Sequence, residues 1–144
     1  MIKLRQATKS DYDFCYFLKK ATLKEYITKT WGWDEQWQKE YYSQNFEPEL
    51  LKIITESGKD IGCISIVEKE DQFCLSLIEI LPQFQNQRIG TNLIENLLRE
   101  AKEKKKNVYL QVLISNEKAQ KLYERFGFKV KEKTDTHYEM EFHS

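Results

Sequence analysis

The chain has no excess of either charge. Lys plus Arg and Asp plus Glu number 23 each in 144 residues, so the formal net charge is zero. Nucleic acid and anionic membranes both require a basic excess, so neither is expected as the main partner. Cysteine is sparse: Cys15, Cys63 and Cys74 are an odd set whose spacings fit neither a zinc site nor a disulfide framework. Each lies in an apolar stretch, where a free thiol acts as a small hydrophobe. A reducing, cytoplasmic compartment is therefore expected. The two histidines, His137 and His143, are too few and too poorly spaced for a metal. No apolar run approaches membrane-spanning length, and the N-terminus lacks a signal-peptide h-region. Linkers, repeats and low-complexity segments are also missing, so residues 1–144 are expected to form one domain.

What the chain does contain is 40% hydrophobic and 13% aromatic residues, enough for a real core. Its concentrated basic run, Lys102 to Lys106, falls at the end of a predicted helix. The dipole favours cations there, so the run reads as a solvated helix end, with a binding patch as the alternative.

Ile2 to Ala7 alternates as a strand does. Ser10 and Asp11 offer an N-cap for a helix of about four turns carrying Phe14, Phe17, Leu18, Ala21 and Ile27. Trp31-Gly32-Trp33 interrupts it, and Asp34 can cap a second helix through Trp37, Tyr41 and Tyr42. Leu50 to Glu56 and Ile61 to Glu68 flank Ser57-Gly58-Lys59-Asp60, a hairpin signal. A fourth strand, Phe73 to Leu81, leads to a helix with Leu93, Ile94, Leu97, Leu98 and Ala101 on one face. Val108 to Leu113, nearly all apolar, is expected to be covered on both sides. A helix capped at Ser115-Asn116 and stopped by Gly127 follows, then a terminal hairpin of Lys129 to Lys133 and His137 to Phe142. This order describes a mixed α/β fold in which a crossover helix makes the strands at Phe73 and Val108 parallel.

The stretch Leu75 to Ala101 organises the rest. A strand ends at Pro82, a polar loop follows, and a helix starts near Arg88. First-turn N–H groups and the helix dipole make such a junction an anion site. Within it, Gly90 permits close approach of a ligand or of a neighbouring backbone. Arg88 is either a phosphate-binding fork or a surface charge.

Glu79 shares strand parity with Phe73, Leu75 and Leu77. Partial burial there would raise its pKa and suit it to act as a general base, whereas a strand-end Glu could equally turn to solvent. Tyr123 lies on the apolar face of its helix, either as core or as a proton donor to a departing thiolate. Asn116 is an N-cap that could also place its amide beside a ligand. Trp31 and Trp33, flanking a glycine, suggest a pocket wall or lid.

Two segments carry a family resemblance. Ile78 to Thr91, IEILPQFQNQRIGT, resembles the pyrophosphate loop of the GNAT superfamily of acetyl-CoA-dependent N-acetyltransferases. Asn116 to Phe128, NEKAQKLYERFGF, resembles that family's Asn-x-x-Ala, Tyr and Gly-Phe segment. Order and separation also match, and the likeness extends over essentially the whole chain.

The resemblance implies a GNAT-like fold: about seven strands in a mixed sheet, about four flanking helices, and two parallel central strands splayed to admit coenzyme A. It implies that Gln85, Gln87, Arg88, Ile89, Gly90 and Thr91 surround the pyrophosphate, and that Ile80, Leu81, Asn116, Lys118 and Ala119 complete the coenzyme site. Glu79 is then the base and Tyr123 the acid, with Trp31, Trp33 and Glu79 at the acceptor. The co-substrate is acetyl-CoA, no metal is used, and a homodimer through the last strands is possible. Arg88 replaces the first glycine of the loop motif. Backbone donors tolerate that change provided φ stays negative. The rival readings are a non-catalytic acyl-CoA-binding module and a protein-interaction domain on the same fold.

Overall fold

Ser57 and Gly58 both adopt left-handed backbone angles, φ 50° and 84°. Two such residues in succession make the tight turn whose twist matches antiparallel strands. Strand β2 (Lys52–Glu56) therefore pairs directly into β3 (Lys59–Glu68), with Glu56 opposite Lys59. The turn is two residues, shorter than the four-residue Ser57 to Asp60 connection expected from composition.

The computed structural model describes residues 1–144. Its other elements are β1 (Ile2–Gln6), α1 (Tyr12–Trp31), α2 (Glu35–Asn45), β4 (Gln72–Ile80), α3 (Ile89–Lys104), β5 (Asn107–Leu113), α4 (Glu117–Arg125), β6 (Lys129–Lys133) and β7 (His137–Phe142). The seven strands form one mixed sheet in the order β1-β2-β3-β4-β5-β7-β6. With four α-helices this is the fold class the sequence implies. No helix is long and apolar enough to cross a membrane.

The chain divides into two compact units, Met1–Ser65 with Leu77–Ile89, and Ile66–Ser76 with Gly90–Ser144. In the first, Cys15, Leu18, Leu51, Ile53, Cys63 and Leu81 form the buried cluster. Each fully buried aliphatic side chain contributes about 1.5–3 kcal/mol. Helix α1 runs longer than four turns and buries only part of the stripe its apolar spacing suggests. Phe17 is 58% exposed, while Cys15, Leu18 and Ile27 face inward. Asp34 caps α2 as expected, accepting from the Trp37 N–H at 2.9 Å.

A fork at the start of this unit ties three elements together. The Arg5 guanidinium donates to Asp11 Oδ1 at 2.7 Å and Oδ2 at 3.0 Å, and also to Asp60 at 3.0 Å. Asp11 Oδ2 accepts from the Thr8 N–H at 2.8 Å as well. Asp11 is thus a buried partner of Arg5 in addition to the N-cap position its sequence suggests.

Replacing it by alanine, Asp11→Ala, is expected to cost about 2 kcal/mol at pH 7, the scale of charge-assisted bonds discounted for solvent screening. Screening applies because the Arg5 side chain is 41% exposed. Arg5 holds the Asp11 carboxyl below its ordinary 3.8. Its stabilisation is therefore present above that value and is lost as pH falls through the folded-state pKa. Urea denaturation of both chains should show a gap that narrows between pH 7 and pH 3. A gap of equal size at both would assign the effect to packing.

In the second unit, α3 buries Ile94, Leu97, Leu98 and Ala101, as its periodicity requires. Strand β5 alternates instead of being covered on both sides. Val108, Leu110 and Val112 are buried and Gln111 is exposed, while the Tyr109 hydroxyl donates to Glu139 on β7 at 2.8 Å. The second face of β5 is thus a polar, partly solvated surface. The basic run is ion-paired: Lys104 and Lys106 meet Glu68 at 3.0 Å and 2.8 Å.

Strands β4 and β5 are parallel, as expected. Their ladder pairs Gln72, Phe73 and Cys74 with Asn107, Val108 and Tyr109, and stops there, although both strands continue.

Candidate functional site

Alternation along β4 turns Glu79 to the same side as the buried Phe73 and Leu75, and the carboxylate is only 5% exposed. Burial pushes its pKa up from the ordinary 4.5 to about 7, with Thr22, Lys19 and Cys63 each pulling the other way. Cys63 on β3 donates its S–H to Oε1 at 3.8 Å. Oε2 accepts no hydrogen bond within the chain. The Thr22 hydroxyl gives its one proton to the Leu18 carbonyl at 2.9 Å, which limits its help to the carboxylate. Glu79 is therefore poised between its two protonation states near neutral pH, with one oxygen available to a substrate proton.

Helix α1 supplies the surroundings. Cys15, Lys19 and Thr22 recur at four and three residues, so they share one face. On α2, Tyr42 packs against the cluster that holds Cys15 and Cys63. Its phenol is pushed well above the usual range, by burial first and then by Cys15 and Glu79. The Cys63 thiol is also raised, chiefly through its hydrogen bond with Cys15. Sequence reasoning missed Lys19, Thr22 and Cys63. The signal for the first two is a polar stripe on an inward helix face, visible only once the register of α1 is known, and that for Cys63 is the pairing of β3 beside β4.

Gly62 on β3 lies against the backbone that carries Glu79. A Cβ there would sit 2.3 Å from the Glu79 carbonyl oxygen. The end of β4 is secured by Leu81, which is buried and donates its N–H to Ile61 at 2.9 Å, and by the Gln85 amide, which donates to the Ile80 carbonyl at 2.8 Å.

The loop that follows has a specific backbone. Asn86 and Arg88 are left-handed, with φ 63° and 65°. The proviso that φ stay negative at Arg88 is thus overturned: the arginine adopts the conformation that glycine takes freely. For an L-residue that costs about 1–2 kcal/mol. A left-handed residue followed directly by helical Ile89 turns successive N–H groups toward one point, the arrangement that holds anions. The Gln87 side chain bonds to the Gln83 carbonyl at 3.3 Å, so both glutamines shape the loop with their amides. Gln87 and Arg88 are exposed, Ile89 is buried, and Gly90 and Thr91 are half-buried in the first turn of α3.

On α4, Asn116 is the N-cap and accepts from the Ala119 N–H at 3.2 Å. That N–H is thereby occupied, and Lys118 beside it is exposed. Tyr123 is half-buried, its ring edge-on to Phe128 at 5.6 Å between centroids. Burial pushes its phenol up to about 12. Trp31 ends α1 with 60% of its surface exposed. Trp33 turns back, its indole N–H donating to Glu35 at 3.3 Å. No group of three or more His, Cys, Asp or Glu side chains is placed to hold a metal.

Solved structures share this fold. The PaiA N-acetyltransferase of Thermoplasma acidophilum, crystallised with coenzyme A, matches with a TM-score of 0.80 at 17% identity, over 100% of this chain and 99% of that one. The ribosomal-protein-S18-alanine N-acetyltransferase of Escherichia coli matches with a TM-score of 0.67 at 23% identity, over 99% and 94%. The spore coat polysaccharide biosynthesis protein SpsD of Bacillus subtilis (strain 168) is 30% identical over 77 residues, 53% of this chain. The matched region spans about a quarter of SpsD, 27% of its length. The sequence profile of the acetyltransferase (GNAT) family matches residues 12–128, from α1 through Phe128. This chain belongs to the acetyltransferase (GNAT) family.

Proposed function

We propose that the chain transfers acetyl from acetyl-CoA to a primary amine of a small molecule, amino acid or peptide, by direct attack in a ternary complex. The observation that carries this reading is Glu79, a buried carboxylate at about 7 with an unpaired Oε2. An amine of lysine-like pKa, about 10.4, is protonated at neutral pH and cannot attack a thioester. Glu79 takes that proton, directly or through water. The N–C bond then forms as the C–S bond breaks, the attacking nitrogen gives up its second proton to solvent, and coenzyme A departs as the thiol.

Those N–H groups of β4 beyond Cys74 that face β5, where the ladder has ended, supply a donor for the developing oxyanion and for the pantetheine amides. Backbone N–H groups from Gln87 to Thr91 hold the pyrophosphate, which the left-handed angle at Arg88 supports, and Gln85, whose own N–H donates to the Pro82 carbonyl, shapes the loop around it. Ile80, Leu81, Asn116, Lys118 and Ala119 line the rest of the coenzyme. Ala119 does so through its side chain, since its N–H already caps α4. Trp31 and Trp33 flank the acceptor.

Tyr123 faces the leaving sulfur in this scheme. Handing a proton from a phenol at about 12 to a thiolate whose acid lies near 8.5 is uphill by roughly 5 kcal/mol. The phenol therefore assists by hydrogen-bonding the sulfur as charge develops, completes the transfer late, and is reprotonated by solvent.

A free-thiol release assay with acetyl-CoA against amines, amino acids and peptides tests the reaction. Within it, Tyr123→Phe is expected to lower kcat about tenfold to a hundredfold, the lower range for one positioned proton donor. Coenzyme affinity measured by calorimetry should stay within a factor of about two, since one hydrogen bond formed in the transition state adds nothing to ground-state binding. An unchanged kcat at both pH 7 and pH 9 would remove Tyr123 from the chemistry. Coenzyme binding without thiol release from any amine would refute the reaction itself.

A further inference from the structure

The relatives named above act in different settings, one on a ribosomal protein alanine and one in spore coat polysaccharide biosynthesis. The acceptor has to be read from this chain's own residues. The face that α1 turns toward Glu79 carries a cation that no carboxylate of the chain meets in an ion pair. Lys19 is half-buried, and its ammonium lies 5.4 Å from the ring centroids of both Tyr41 and Tyr42. Tyr42 in turn packs against the cluster containing Cys63, whose thiol touches Glu79.

The other half-buried lysines, Lys20 and Lys106, meet carboxylates. Lys20, the next residue, is 2.7 Å from Glu35, and Lys104 and Lys106 share Glu68. Lys19 makes no such pair. The charge it feels is that of Glu79, which opposes the effect of its burial. Aromatic faces hold an ammonium in place but leave its N–H groups unspent. A partly desolvated cation without a hydrogen-bonded anion is costly unless something binds to it.

We propose that Lys19 determines specificity by receiving the carboxylate or phosphate of a small acceptor whose amine nitrogen faces Glu79. The inference rests on Glu79 being the base of acetyl transfer. An anion on Lys19 gains a charge-assisted hydrogen bond in a half-buried setting, where such bonds are strongest. A diamine would instead bring a second ammonium against Lys19 and be repelled. A peptide N-terminus presents only a neutral amide at that place, leaving the ammonium unpaired.

Thiol release from acetyl-CoA is measured with alanine, alaninamide, phosphoethanolamine, ethanolamine, putrescine and a tri-alanine amide. The wild-type chain should favour alanine over alaninamide, or phosphoethanolamine over ethanolamine, by about tenfold to a hundredfold in kcat/KM, the range for one charge-assisted hydrogen bond. Which of the two pairs shows the larger ratio tells carboxylate from phosphate. The ratio should fall to about one in Lys19→Met, persist in Lys19→Arg, and invert toward putrescine in Lys19→Glu. Equal efficiency with anionic and neutral amines, a preference for putrescine or the peptide in the wild type, or a ratio untouched by Lys19→Met overturns the inference while acetyl transfer stands. No thiol release from any amine overturns both.

Discussion

Glu79→Gln is expected to lower kcat/KM at pH 7 by at least about a hundredfold, the lower bound for loss of a positioned proton acceptor. The deficit should shrink as pH rises toward the pKa of the acceptor amine, because an amine that has already lost its proton needs no base. The wild-type profile should also have an acidic limb near 7, where the carboxyl titrates, and the variant should lack it. Rates measured from pH 6 to pH 10 check both points. A deficit of constant size across that range would assign Glu79 to structure or binding.

The same substitution should raise stability. Burial lifts the carboxyl from 4.5 to about 7, so the folded state holds a proton that the unfolded chain releases between those values. Stability from this group is fully present below the unfolded pKa and is lost as pH rises through the folded pKa. Above pH 7 the charged, buried form costs about 3 kcal/mol, the gap between 4.5 and about 7 converted at roughly 1.36 kcal/mol per pH unit. A neutral glutamine amide in its place would carry no such penalty, so Glu79→Gln should be more stable than wild type at pH 8 and about equal at pH 4.5. A destabilised variant at pH 8 would show that the carboxylate is held by contacts stronger than its desolvation. Gain of stability with loss of activity is the usual mark of a site kept in an unfavourable state for chemistry.

Gly62→Ala is the second large effect. The added Cβ would lie 2.3 Å from the Glu79 carbonyl oxygen, 3.1 Å from the Ile80 Cα and 3.3 Å from the Glu79 carbonyl carbon. All three are backbone atoms, so no side-chain rotation relieves the clash, and β3 must move away from β4. Overpacking of this kind costs about 3 kcal/mol. Local propensity predicts the opposite sign, since glycine inside a strand is ordinarily worse than alanine by about 0.5–1 kcal/mol. A guanidinium titration decides between them, with a lower midpoint at unchanged slope expected. Because the displaced backbone carries Glu79, activity should also fall under conditions where the variant is still folded. A midpoint equal to or above wild type would mean that β3 and β4 separate at little cost.

These two residues mark how far sequence reading reaches. The parity of Glu79 with Phe73 and Leu75 was legible because alternation is a local property of a strand. That Gly62 lies against it was not, because strand pairing is set by register between distant segments. The same division holds for α1. Its inward Leu18 and Ile27 follow from helical spacing, yet Phe17 points outward while Cys15, Lys19 and Thr22 turn toward Glu79. Apolar spacing names a stripe, and only docking decides which of its edges is turned inward.

By itself, then, the sequence determined the strand and helix order, the capped starts of α2 and α4, and the two motifs that identify the family. Each rests on residues within about a dozen positions of one another, where hydrogen bonding and side-chain period act locally. The tertiary structure alone decided the charge state of Glu79, the left-handed angle at Arg88 and the residue pair at which the β4–β5 ladder ends. It also brought Lys19 and Tyr42 to the base. Those properties depend on desolvation and on contacts between segments far apart in the chain, which no local pattern encodes.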